Sequence, residues 1–192
     1  YLTSFPTSVG TGLRASVVLH LPLLSQSKRF NGMVTEMTRF GASVKGMYGE
    51  GEENCGSLYE VSNQKTLGMT EKEILDMVSK VALQLTAQEE QMRKLALDKN
   101  RVSREDDACR AYGTLKYARK LTMKEALTLL SRLMAGCADG LLRMEEPSSV
   151  YRLMLGIQPA NLQKLSARPL GREELEMARA AYLRAELPQL LA

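Results

Sequence analysis

The stretch Gly10-Thr11-Gly12-Leu13-Arg14-Ala15-Ser16-Val17-Val18-Leu19-His20-Leu21-Pro22 decides how the first half of the chain reads. Pro6, Gly10 and Gly12 keep residues 3–12 out of regular structure, so the strand is entered from a loop. From Leu13 to Leu21 the residues alternate: Leu13, Ala15, Val17, Leu19 and Leu21 share one face, and Arg14, Ser16, Val18 and His20 the other. Pro22 cannot donate to a sheet ladder and ends the strand. Arg14 thus stands at the strand's start, beyond a glycine loop and on the polar face. Backbone N–H groups exposed by glycines, next to a planar cation, suit phosphate oxygens. The pattern is neither a Walker loop nor a Rossmann turn, and a surface hairpin loop with a solvated arginine fits the same residues.

Working outward, Phe30, Met33, Val34 and Met37 recur at helical spacing, which predicts a helix over 28–40 with Gly41 as its C-terminal cap. A short strand follows over 42–48, then the polar glycine loop Gly49-Glu50-Gly51-Glu52-Glu53-Asn54, then a strand over 57–62 turning at Asn63-Gln64. A carboxylate on such a loop can orient a cationic guanidinium or take its proton, although composition alone favours a solvated acidic turn. Thr70 and Glu73 make a capping box for a long helix to about Leu97, with Ile74, Val78, Val81 and Leu85 in one stripe. Asp98-Lys99-Asn100 is expected to break it, and Ser103 to cap the next helix. Everything later reads as helical. Thr122 and Glu125 form a second capping box, another helix starts near Pro147, and the last spans about 171–187. The fold class is therefore α+β: an antiparallel sheet with packed helices over 1–104, then an all-α domain over 105–192.

Composition narrows the function. Apolar residues at 44% and charged residues at 25% are those of a soluble globular chain, with no run near the roughly 18 apolar residues of a membrane span. The opening residues do not resemble a signal peptide, so a cytoplasmic location is expected. Cys55, Cys109 and Cys137 lack C-x-x-C spacing and His20 is the single histidine, which favours free thiols over a zinc centre. A net charge of +4 suits a handler of anions, and no aromatic-interleaved basic patch points to direct nucleic-acid binding. The chain opens at Tyr1, in a Pro/Gly/Thr-rich segment, which reads as the result of truncation or processing.

Three ordered motifs carry a resemblance. YLTSFPTSVGTGLRASV resembles the phosphagen-kinase form T-x-C-P-[TS]-N-x-G-T-G-[LM]-R-[AG]-x-V. VKGMYGEGEE resembles V-R-G-x-x-G-E-x-x-E, and YEVSNQKTLGMTE resembles Y-x-[IV]-S-N-x-x-x-L-G-x-[ST]-E. LHLP at 19–22, GMYGEG at 46–51 and the tail segments DDACRAYGTLKYAR and LMLGIQPANLQKL look like the bacterial protein-arginine kinases of this family.

That resemblance implies transfer of the ATP γ-phosphoryl group to arginine side chains of proteins, with Mg2+ accompanying the nucleotide. Arg14, Ala15, Ser16, Val17 and Val18 would form one ATP-binding segment, and Lys45, Gly46, Met47, Tyr48, Gly49 and Glu50 the second. Arg14 and Glu53 would be catalytic, the carboxylate of Glu53 orienting the guanidinium. The family's implied setting is bacterial stress response and protein quality control. The implied partners are protein substrates with exposed arginine, a second copy in a homodimer, a zinc-binding activator protein and an AAA+ unfoldase. Departures are visible: Phe5 replaces the family cysteine, Ser8 the asparagine, and Lys45 the arginine, which keeps charge but loses the bidentate fork. In the last helix the family's phosphoarginine-sensing R-D-x-x-R-A is Leu175-Glu176-Met177-Ala178-Arg179-Ala180, which reads as a degenerate site with Arg179 solvated. The family's N-terminal arginines and acidic loop are outside these residues, so the chain is expected to be inactive alone. A non-catalytic homologue acting as a dimerising adaptor is the alternative.

Overall fold

The computed structural model describes Phe5 and residues 8–49, 54–146 and 149–191. The chain divides into two compact units, Tyr1–Lys94 and Leu95–Ala192. The first is α+β and the second is helical apart from one isolated bridge, Met144 to Leu190.

In the first unit the strands are β1 (Ser16–His20), β2 (Ala42–Gly46) and β3 (Leu58–Asn63). They form an antiparallel sheet in the order β1-β3-β2, so the last strand in sequence lies at the centre. β1 is shorter than the predicted 13–21 but its alternation holds. Ala15, Val17 and Leu19 pack toward the core, while Arg14, Ser16 and Val18 are exposed. A helix α1 (Phe30–Arg39) and the first part of α2 (Glu71–Tyr117) cover the inner face. Phe30 and Met37 from α1, Tyr59 and Val61 from β3, and Val78, Val81 and Leu85 from α2 share that core. Phe30 meets Tyr59 edge to face, with ring centroids 4.9 Å apart, the arrangement that aromatic quadrupoles favour.

Local signals account for the ends of these elements. Gly41 has φ 87°, the left-handed conformation that a residue without Cβ adopts at a helix end. The Thr70 N–H donates to Glu73 Oε2 at 2.7 Å and the Glu73 N–H to Thr70 Oγ1 at 3.3 Å, a complete capping box for α2. The link between β1 and α1 makes a short 3-10 turn, Leu24–Gln26. Its start is held by the buried Glu89 of α2, whose carboxylate accepts from the Leu24 N–H at 2.7 Å.

The expected break in the long helix is present: Asn100 has non-helical backbone angles (φ −140°, ψ 40°), and α2 is two helices meeting at that kink. One expectation is corrected: Ser103 lies inside the second of these helices, past its start, and does not cap it.

The second unit contains the rest of α2, then α3 (Met123–Ala138), α4 (Ser149–Gly156), α5 (Pro159–Lys164) and α6 (Arg172–Glu186). Thr122 caps α3 as predicted, its Oγ1 accepting from the Glu125 N–H at 3.2 Å. α3 runs close to α2: a Cβ on Gly136 would stand 2.5 Å from that of Ala108, so only glycine fits there. At the end of α3, Asp139 accepts from Arg104 Nη2 at 2.5 Å. No helix among the described residues is long and apolar enough to cross a membrane.

Candidate functional site

The outer face of the sheet is polar, and strand register fixes what shares it. Residues one and three positions from an inward residue must point outward. One cross-strand row reads Ser16, Ser62, Ser43; the next reads Val18, Glu60, Lys45. Arg14 precedes the first row and reaches Glu60, with Nη2 3.6 Å from Oε1. Glu60, on the central strand, therefore lies among two cations: Arg14, an ion-pair partner, and Lys45, directly opposite on β2. Arg14 keeps a side chain 66% exposed and Lys45 is exposed, so both can turn to a ligand. An exposed pair of this kind contributes little to stability, about 0–1 kcal/mol, which leaves Arg14 free to exchange its carboxylate for a phosphate.

The segments predicted to bind nucleotide divide by strand parity. Arg14, Ser16 and Val18 lie on the outer face, whereas Ala15 and Val17 pack against the core and offer the outer face no side chain. On β2 and beyond, Lys45, Met47 and Gly49 are exposed, and Gly46 and Tyr48 half-buried. Gly46 is dictated by the turn: a Cβ there would lie 1.9 Å from the Gly49 carbonyl oxygen and 2.9 Å from Asn54 Cγ. Glu50 and Glu53 lie outside the described residues. What anchors the far end of their loop is visible. Asn54 is buried, its Nδ2 donates to the Leu58 carbonyl at 3.0 Å, and its Oδ1 accepts from the Tyr48 N–H at 3.3 Å.

A matching anchor serves the glycine loop before β1. Asn63, at the other end of β3 and 7% exposed, accepts on Oδ1 from the Ala15 N–H at 2.8 Å. Its Nδ2 donates to the Leu13 carbonyl at 2.9 Å and the Lys65 carbonyl at 3.1 Å. Thr66 Oγ1 donates to the Val9 carbonyl at 2.6 Å, and the Thr11 N–H donates to the Thr66 carbonyl at 3.3 Å. Gly10 sits against this segment at φ 99°, where a Cβ would be 2.5 Å from the Thr66 oxygen. Asn63-Gln64 reads from sequence only as a turn. The signal for its larger role is the S-N of the quoted motif, a buried-type position occupied by a side chain with both donor and acceptor.

The second unit corrects one expectation. Arg179 is not solvated: it is 3% exposed, with Nε donating to the Ile157 carbonyl at 3.2 Å and Nη1 to the Leu121 carbonyl at 2.9 Å. Burial pushes its guanidinium below its ordinary value, with Glu176 opposing that shift. Both hydrogen-bonding edges tie α6 to the ends of neighbouring segments. Glu176, nearly buried, pairs with Lys120 and Arg172 at 3.5 Å each. Leu175 is half-buried and Ala180 fully buried. An open cavity of about 390 Å³ in this unit is lined by Glu145, Glu146, Arg152, Tyr182 and Glu186 among others. Among the described residues no group of three His, Cys, Asp or Glu could hold a metal ion.

Comparison with known proteins covers both units. Residues 1–92 match the family of the ATP:guanido phosphotransferase C-terminal catalytic domain, and residues 101–191 match the protein-arginine kinase McsB C-terminal domain. The chain is 44% identical over 191 residues to the protein-arginine kinase of Desulforamulus reducens, covering 99% of the chain and 53% of that relative. Against the protein-arginine kinase of Caldanaerobacter subterraneus subsp. tengcongensis it is 41% identical over 187 residues, covering 97% of the chain and 55% of the relative. Against that of Halothermothrix orenii it is 40% identical over 187 residues, covering 97% and 54%. The chain thus spans about half the length of the curated relatives it matches.

Proposed function

This chain belongs to the ATP:guanido phosphotransferase family, in its protein-arginine kinase branch, and from that we propose that it is the C-terminal portion of an enzyme that phosphorylates arginine side chains of proteins. The observation that supports this most is the outer sheet face, where Arg14 and Lys45 flank Glu60 with the exposed Ser16 and half-buried Ser43 nearby, while Ser62 between them is buried. Phosphate oxygens need cations and hydroxyl donors at fixed spacing, and a rigid sheet supplies both.

In the proposed reaction Arg14, Ser16 and Lys45 hold the phosphates of ATP. The γ-phosphorus–oxygen bond to ADP breaks as a phosphorus–nitrogen bond to the substrate guanidinium forms. Charge on the transferred group is offset by Arg14 and Lys45, since such transfer rests on alignment and neutralisation more than on covalent help. Glu53 orients the guanidinium and takes the proton that its nitrogen loses. Mg2+ would accompany the nucleotide and offset charge on its phosphates. Protein substrates with exposed arginine follow from the branch. So do a homodimer, a zinc-binding activator protein, an AAA+ unfoldase and a cytoplasmic role in stress response and protein quality control. The rest of the catalytic site would come from the half of the enzyme outside this chain, and the chain alone would be inactive.

The test is transfer of label from γ-labelled ATP to an arginine-rich protein by the full-length protein. The expected label is lost in mild acid, as a phosphoramidate is, and depends on Arg14 and Glu53. A second reading, a dimerising adaptor without catalysis, is favoured by Phe5, which is 69% exposed where the family carries cysteine. Absence of label in the folded protein with an activator present, even after Phe5→Cys, would establish the adaptor and overturn the kinase.

A further inference from the structure

We propose that Asn63 is a positioning residue for the phosphate-binding segment, setting where Arg14 stands through the backbone on either side of it. The inference rests on the reading of Arg14 as a phosphate contact and names the group that holds it in place.

The geometry carries the argument. Arg14 itself has a largely exposed side chain, and its ion pair to Glu60 is long at 3.6 Å, so that contact holds the guanidinium loosely. The backbone is different: one Asn63 amide grips the residue before Arg14, at the Leu13 carbonyl, and the residue after it, at the Ala15 N–H. The same amide also reaches the Lys65 carbonyl. A primary amide is the side chain that can donate twice and accept in one plane, which these three backbone groups require. Leu13 and Ala15 lie just ahead of the β1–β3 ladder, which begins with Ser16 opposite Ser62, and the Asn63 N–H also donates to the Ala15 carbonyl at 3.4 Å, so the side-chain clamp reinforces the backbone pairing at the end of the sheet. Thr66 adds the second grip three residues on, at the Val9 carbonyl, and its own carbonyl receives the Thr11 N–H. The loop of Gly10 and Gly12, both at positive φ, would otherwise leave Arg14 on a freely moving entry to the strand. Asn63 is nearly buried and so acts on a ligand only through the segment that it holds.

The test measures nucleotide affinity of the full-length protein by titration with a fluorescent ADP analogue, for Asn63→Ala, Arg14→Ala and the double variant. Asn63→Ala is expected to weaken binding roughly tenfold, the loss typical of one or two net hydrogen bonds at a site. The KM for the arginine substrate should stay unchanged. In the double variant the two effects should fall well short of adding, because removing Arg14 removes what the clamp positions. Thr66→Val, nearly isosteric, should also weaken nucleotide binding and guards against a clamp variant that fails to fold. If Arg14→Ala weakens binding while folded Asn63→Ala and Thr66→Val do not, or if the effects add fully, the positioning role is overturned and the phosphate contact stands. If Arg14→Ala changes nothing, the phosphate contact itself is overturned.

Discussion

Arg14 stands with two-thirds of its side chain in solvent at the edge of a sheet, and Arg179 keeps 3% of its surface. Under the proposed function the same guanidinium chemistry serves recognition in the first position, and in the second it serves cohesion. Replacing Arg179 by methionine would leave the Leu121 and Ile157 carbonyls without their donor. Unsatisfied buried acceptors cost about 1–3 kcal/mol, so urea unfolding should show a loss of that size while nucleotide affinity of the full-length protein is retained. Lys45 is a phosphate contact only under the proposed function. It presents a point charge where the family has a fork, so Lys45→Arg should tighten nucleotide binding severalfold in the same titration. Unchanged or weaker binding would mean that the β2 end of the outer face does not meet phosphate.

At the scale of the element, β3 organises the site from the centre of the sheet. Its two flanking asparagines anchor the two segments in question, Asn63 the glycine loop and Asn54 the base of the acidic one. The β2–β3 connection leaves no room for change at Gly46. Gly46→Ala forces a methyl group against the Gly49 carbonyl and Asn54, at roughly 1–3 kcal/mol for overpacking, and should lower both the unfolding midpoint and nucleotide affinity. The start of α2 gives a pH-dependent signature. Hydrogen bonds from the Thr70 backbone and hydroxyl hold the Glu73 carboxyl below its ordinary value. The box therefore stabilises the fold above the unfolded-state pKa, and that contribution disappears as pH falls through the lower folded one. Thermal midpoints of the parent and Glu73→Gln should differ at pH 7 and converge in acid; a gap that persists in acid would mean that the charge is irrelevant to the cap.

Across the whole molecule, what sequence made legible is what short-range chemistry decides. The alternation of Val17 and Leu19, the left-handed Gly41 and the Thr122 box each depend on neighbours within a few residues. Asn100 belongs with them: Asp98 and Asn100 are poor helix formers, and the long helix breaks into two at Asn100. α5, six residues long, is too short for a periodic signal. The roles of Asn63 and Arg179 were hidden for a different reason. Leu13 and Ala15 lie 48–50 residues from Asn63, and Ile157 and Leu121 lie 22–58 residues from Arg179, separations that no local pattern encodes. Motif resemblance supplied the candidate residues, and the structure adds that Arg14, Ser16, Val18 and Lys45 share the outer face, while Glu50 and Glu53 lie outside the described residues.

The central claim is that this chain serves phosphoryl transfer to arginine nitrogen. Its most direct test is mass-spectrometric location of the phosphoryl group on a protein substrate after incubation with the full-length protein and ATP, under neutral handling that preserves phosphorus–nitrogen bonds. The account predicts phosphate on arginine side chains, lost in the Arg14→Ala and Glu53→Gln proteins. Phosphate on serine, threonine or tyrosine alone, or modification that persists in both variants, would contradict it.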